Sequence, residues 1–221
     1  AQAAGDEIVY LGRSEPHPER GGVVVPASSA VGSIHDLAGG SIAFAVGSWQ
    51  THAYVELLDR FGLAKDQLRV IDIPAIASAA DVLDSGADAW LIHDPLLAAV
   101  EAKVGPTRTL ATVADLVPNR SVFWGRRDYA AEHPEVISAL VDALNRVEEW
   151  AASNPEEAAE LLTTSGRSDS KADWMDALRD RPWGVAPVDS GFLAEQQHAA
   201  DLFARYDVIS NEVDVTDAVV A

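Results

Sequence analysis

The sequence predicts an α/β fold built on a doubly wound, mainly parallel sheet. Three observations predict it. Runs of branched apolar residues alternate with segments of helical period between residues 41 and 105, a rhythm that calls for crossover helices and parallel strands. Glycine, proline and capping residues stand at the joins. From residue 120 onward the pattern changes to long amphipathic helices, so an α/β unit near 29–118 precedes a helix-rich half near 119–221.

Taken in order, "AQAAG" reads as the tail of a helix and "EIVYLG" as a strand entered at once. That opening leads us to expect further sequence upstream. "RSEPHPERGG" is a connector and "VVVP" a short strand. "SIAFAV" is a strand, and residues 50–61 form a helix with Ala53, Tyr54, Leu57, Leu58 and Phe61 on one stripe, closed by Gly62. "RVIDIP" is a strand and "AIASAADVLDSG" a helix. "DAWLIH" is a strand, after which Asp94 caps, and Pro95 opens, the helix "LLAAVEAKVG".

In the second half "RSVFWG" is a strand and His133-Pro134 opens a long helix. Val136, Ile137, Leu140, Val141, Leu144, Val147 and Trp150 make its apolar face. Asn154, Pro155 and Glu157 start the next helix as cap, first-turn proline and capping-box partner. Two more helices are predicted near 171–180 and 191–206, and the acidic tail "SNEVDVTDAVVA" is expected to be loose.

The chain's 221 residues carry 35 acidic against 16 basic side chains, a formal charge of −19. Such a field repels nucleic acid and anionic membrane surfaces. It still permits a small anion, because exposed charges are screened within about 8 Å at physiological salt. There is no cysteine, which removes disulfides, thiolate nucleophiles and cysteine metal sites. No run reaches the roughly 18 apolar residues of a membrane helix, and no signal peptide is visible. The six histidines show no metal-ligand spacing, and nothing calls for a cofactor.

Candidate chemistry concentrates at "AFAVGSWQTHAYVELL". A helix N-terminus offers unpaired N–H groups and partial positive charge, which suits an anion. Gly47 lets a ligand approach the backbone, and Ser48 and Thr51 add hydroxyls. The plainer reading is that Ser48 caps the helix and Trp49 packs. Trp90 could wall a pocket for an alkyl or aryl group, or simply pack in the core. Asp94 reads first as a helix cap and second as a ligand contact. Ser48 and His52 are four apart, but no G-x-S-x-G elbow surrounds them; His93 and Asp94 diverge on a strand. Catalysis therefore has little to work with. Arg13, Arg20, Arg126 and Arg127 could offer an anion a bidentate fork, or merely balance charge.

With these segments in hand, the chain resembles the substrate-binding proteins of ABC importers for aliphatic sulfonates, within a group that also binds taurine, nitrate and thiamine precursors. "VVVPASSAVGSIHDLAGGSIAFAVGS" is similar to the family's "P-x-S-x-I-x-x-x-x-D-L-x-G" stretch with its strand and Gly-Ser corner. "LDSGADAWLIHDP" looks like its "G-x-x-D-A-x-x-x-W/H-D-P" segment. "AAEHPEVISALVDAL", "WAASNPEEAAELL" and "GVAPVDSGFLAEQQHAADLF" follow its C-terminal helices in order.

The resemblance implies a periplasmic-binding-protein-like fold, two doubly wound α/β lobes around a ligand cleft. Lobe I would hold 1–28 and 119–221, lacking its N-terminal portion, and lobe II 29–118. It implies no catalysis. By position it makes Gly47, Ser48, Trp49 and Gln50 an anion seat, places Trp90 and Asp94 in or near the cleft, and adds Glu15 and Arg127 as further ligand contacts. The implied partners are a small anion, best a sulfonate, and a membrane permease, outside the cytoplasmic membrane. The incomplete lobe would expose a sheet edge through which copies could associate. Sulfinate desulfinases resemble the same group but need a cysteine nucleophile, which this chain does not have.

Overall fold

A computed structural model describes residues 1–17, 20–164, 170–179 and 181–219. Two residues of the expected connector, the last residue of the helix expected near 171–180, and the last two of the tail lie outside the described residues. The chain divides into two units, Ala1–His17 with Arg120–Ala221, and Pro18–Asn119.

The second unit carries strands β2 (Gly21–Pro26), β3 (Ser41–Phe44), β4 (Arg69–Asp72), β5 (Ala89–His93) and β6 (Thr107–Thr112) in the order β4-β3-β5-β2-β6. β3 runs parallel to β4 and β5, whereas β2 runs antiparallel to β5 and β6. The expected mainly parallel sheet is therefore mixed. The resemblance assigns β2 to lobe I, whereas its ladder partners β5 and β6 lie with it in the second unit. Gly22 makes that ladder possible, since a Cβ there would sit 2.0 Å from the Ala111 carbonyl at a φ of +139°. The edge strand β6, "TRTLAT", alternates weakly and carries little signal in the sequence.

Helices cover both faces of this sheet. Val24, Ala43, Trp90 and Ile92 pack with Val82 of α2 (Ala79–Asp84) and with Leu97 and Val100 of α3 (Leu96–Val104). On the other face Phe44 meets Tyr54 of α1 (Trp49–Phe61), ring centroids 5.3 Å apart, and the short α4 (Val113–Leu116) follows β6. Strand alternation explains why neighbours Ala43 and Phe44 serve opposite layers. α2 is shorter than predicted because Ser78 and Asp81 form a capping box that fixes its start.

The first unit pairs β1 (Ile8–Arg13) antiparallel with β7 (Val122–Arg126). Around them lie α5 (Arg127–Glu132), α6 (Pro134–Ser153), α7 (Pro155–Thr164), α8 (Lys171–Arg179) and α9 (Ser190–Arg205). Tyr10 packs edge-on to Phe192 of α9 at 5.2 Å. Ala151, Ala158, Ala159 and Leu178 form a second core. The tail is held, contrary to expectation: Val215 and Ala218 are buried, and Gln197 bonds Val213 O and Val215 N at 2.8 and 3.0 Å. The predicted apolar face of α6 exists but is largely open, with Val136, Leu140, Val147 and Trp150 all exposed.

Candidate ligand seat at the end of β3

β3 ends in "AVGS", and the turn into α1 is fixed residue by residue. Gly47 takes φ +83°, a left-handed conformation that costs an L side chain roughly 1–2 kcal/mol. Its N–H donates to Thr51 Oγ1 at 2.9 Å. The Val46 N–H donates to Asp72 Oδ1 at 2.9 Å. Ser48 is the N-cap, its Oγ accepting from Gln50 N at 3.2 Å. The hydroxyl's single proton can go to Ala45 O or to Gln50 Oε1, at 2.7 and 2.8 Å. The capping reading of Ser48 thus describes a bond present in the structure.

Gln50 is buried, and its amide is committed to the frame. Its Oε1 accepts from Ala45 N at 3.3 Å and its Nε2 donates to Leu91 O at 2.8 Å. The corner is thereby tied to β5, the strand parallel to β3. Trp49, half-buried, sets its ring edge-on to the imidazole of His93, centroids 5.2 Å apart. His93 ends β5 and Trp49 follows the end of β3, so both stand at the carboxyl ends of adjacent parallel strands, where open α/β sheets gather ligand-binding groups. His93 was read from the sequence only as a poor catalytic partner; strand adjacency of "SIAFAV" and "DAWLIH" was the signal for its place beside Trp49.

The other predicted residues fall elsewhere. Trp90 gives up the pocket-wall reading, since it is only 5% exposed and lies inside the α2–α3 core. Asp94 is drawn into an ion pair: Arg20 grips it through Nε and Nη2 at 2.6 and 2.9 Å and reaches Glu101 at 3.0 Å. Hydrogen bonding to Asp94 raises the Arg20 guanidinium above its ordinary value. Asp94 also accepts from Ala98 N at 3.1 Å, so it serves the first turn of α3 although the helix begins at Leu96 rather than Pro95.

Glu15 and Arg127 belong to the first unit. Glu15 is bound by Arg13, whose hydrogen bond holds its carboxyl below the usual range. Arg13 is 8% exposed and also donates to Asp189 at 2.6 Å. Arg120 binds Glu195 bidentately at 2.7 and 2.9 Å and Ser14 O at 3.1 Å. Arg127 is fastened to β1, its N–H donating to Glu7 O at 3.0 Å and its guanidinium reaching Ile8 O at 3.5 Å. Arg120, Asp189 and Glu195 were not singled out from sequence. Asp189 alone carried a local signal, as the cap immediately before α9, accepting from Phe192 N at 2.8 Å.

Among the described residues no cluster of histidine, aspartate and glutamate is arranged to hold a metal, and no helix is long and apolar enough to cross a membrane.

The fold is that of the periplasmic binding proteins. The structure of the periplasmic aliphatic sulphonate binding protein SsuA from Escherichia coli aligns with 99% of this chain and 75% of that one, with a TM-score of 0.84 and 26% identity. The alkanesulfonate-binding protein SsuA from Xanthomonas axonopodis pv. citri, bound to MOPS, aligns over the same shares with a TM-score of 0.82 and 27% identity. The chain belongs to the NMT1/THI5-like family, which it matches over residues 1–158. A relative from Escherichia coli (strain K12), described as an aliphatic sulfonates-binding protein, is 27% identical over 217 residues, 97% of this chain and 67% of its own length. The chain spans about two thirds of the length of the aliphatic sulfonates-binding relatives from Escherichia coli (strain K12) and Bacillus subtilis (strain 168).

Proposed function

We propose that this chain is the ligand-binding part of a solute-binding component of an ABC importer, working outside the cytoplasmic membrane and taking a small organic anion, best an aliphatic sulfonate. The observation that carries the reading is kinship to sulfonate binders over nearly the whole chain. The role asks for capture and release by a membrane permease, with no bond made or broken.

The β3–α1 corner supports a seat for the anionic head. Val46 and Gly47 N–H are committed to Asp72 and Thr51. The backbone donor left for a ligand at this helix start is the Trp49 N–H, which as the first helical residue has no acceptor within the helix; the Ser48 hydroxyl joins it only by turning away from Ala45 O and Gln50 Oε1. The Trp49 ring and His93 offer an aromatic flank for an alkyl chain. Gln50 acts as a positioning residue and Asp94 holds the end of β5; for Glu15 and Arg127 the resemblance alone supports a ligand contact.

The test is thermal unfolding of the chain with methanesulfonate, a longer alkanesulfonate, MOPS, taurine, nitrate and sulfate. A ligand at about 100 times its Kd adds roughly 2.7 kcal/mol, a shift of a few degrees for a domain of this size. The expected result is a shift with sulfonates that Trp49→Ala abolishes. A cooperative melt unmoved by every sulfonate overturns the reading.

A further inference from the structure

We propose that Arg13 and Arg120 form an anion-binding site of the first unit, filled in this structure by the carboxylate of the chain's own Glu15, which a small carboxylate or sulfonate displaces.

Arg13 closes β1 and Arg120 stands two residues before β7. Ser14 O accepts from the Nη1 of both, at 3.4 and 3.1 Å. Ser14 is buried and exchanges bonds with Ser121, its N–H donating to Ser121 O and its Oγ accepting from Ser121 N, each at 2.9 Å. The two guanidiniums are thus held on a fixed frame, their side chains only 10% and 12% exposed. They lie close enough for the charge of Arg13 to act against that of Arg120. Two like charges held that near are relieved by an anion between them.

Each cation already has a carboxylate of its own. Asp189 takes Nη2 of Arg13, and Glu195 takes Nε and Nη2 of Arg120, so these four charges balance without Glu15. Both arginines keep Nη1 for a further acceptor, and the two donors meet on one carboxylate. Glu15 Oε1 accepts from Arg13, and Oε2 accepts from Arg120 at 3.4 Å. A guanidinium pair gripping two oxygens of one group is a recognition geometry for a carboxylate or a sulfonate.

Glu15 is the loose partner. Its side chain is 57% exposed, and ion pairs open to water hold weakly against side-chain entropy and screening. Arg13 holds its carboxyl below the usual range, so at neutral pH it leaves by competition with another anion and not by protonation. It competes from only two residues away, at an effective concentration on the order of millimolar or more. Glu15 therefore acts as a gate, yielding to an anion that is abundant or better shaped. All of these groups lie in the first unit, and the site stands apart from the β3–α1 corner.

The experiment titrates acetate and methanesulfonate calorimetrically into the Trp49→Ala chain, which silences that corner, with and without Glu15→Ala. We expect Glu15→Ala to tighten binding of at least one probe about tenfold or more, the probe that gains more naming the anion. Arg120→Gln added to Glu15→Ala should return the affinity to its starting level. Equal affinity for both probes with and without Glu15→Ala overturns the proposal. So does tightened binding that survives Arg120→Gln, since the anion then sits elsewhere. Should the Arg120→Gln chain not melt cooperatively, the Nε–H resonances of arginine in the Glu15→Ala chain take its place. Those of Arg13 and Arg120 should move as the probe is added, and resonances that stay still overturn the proposal.

Discussion

The side-chain amide of Gln50 reaches from the first turn of α1 to the carbonyl of Leu91 in the middle of β5, 2.8 Å away. Its other end takes the Ala45 N–H where β3 stops. One buried side chain thus joins a helix start to two parallel strands.

Gln50→Leu should therefore cost about 1–3 kcal/mol, because it leaves a buried carbonyl and N–H unpaired. Urea unfolding followed by circular dichroism would measure it. A cost below about 0.5 kcal/mol would show that water replaces the amide.

Ser48 separates capping from ligand binding. Ser48→Ala should destabilise by about 1 kcal/mol, whereas Ser48→Gly should cost only a few tenths. Both remove the hydroxyl. If that hydroxyl meets the anion, the two variants weaken sulfonate binding alike despite their different stabilities, as calorimetric titration would show.

Trp90 should behave as core. Trp90→Ala is expected to cost about 3–5 kcal/mol and Trp90→Phe about 1–2 kcal/mol. The phenylalanine variant forfeits no hydrogen bond, since the buried indole N–H meets no acceptor among the described residues. Sulfonate affinity should be unchanged in Trp90→Phe; a tenfold loss would return Trp90 to the ligand.

The Arg13–Asp189 pair sets a pH dependence. Asp189 titrates below an ordinary aspartate, first because Phe192 N–H donates to it and next because of Arg13. A carboxyl depressed in the folded state adds stability above its unfolded value, near 3.9, and loses it as pH falls through the folded one. The stability difference between the parent and Asp189→Asn should stay flat from about pH 7 to 5 and shrink below about pH 4. Comparing the two chains at each pH cancels the common effect of the −19 charge. A difference constant down to pH 2 would contradict this.

Elements with strong local signals were legible from the amino-acid order. β3, α1 with its Gly62 close, β5, and the start of α6 at Pro134 followed from period, caps and proline placement, which act over one or two turns. Ser48 as a cap was legible for the same reason. Only tertiary structure decided which of two local readings each site residue takes. Whether Trp90 packs or lines a pocket depends on α2 and α3 covering that face. Whether Asp94 is free depends on Arg20, 74 residues away, and whether Glu15 is free depends on Arg120, 105 residues away, as well as on its neighbour Arg13. Partners such as Arg13 and Asp189 stand 176 residues apart, and no periodicity links them. The antiparallel course of β2 and the open face of α6 are likewise properties of what lies alongside, which a local pattern cannot encode.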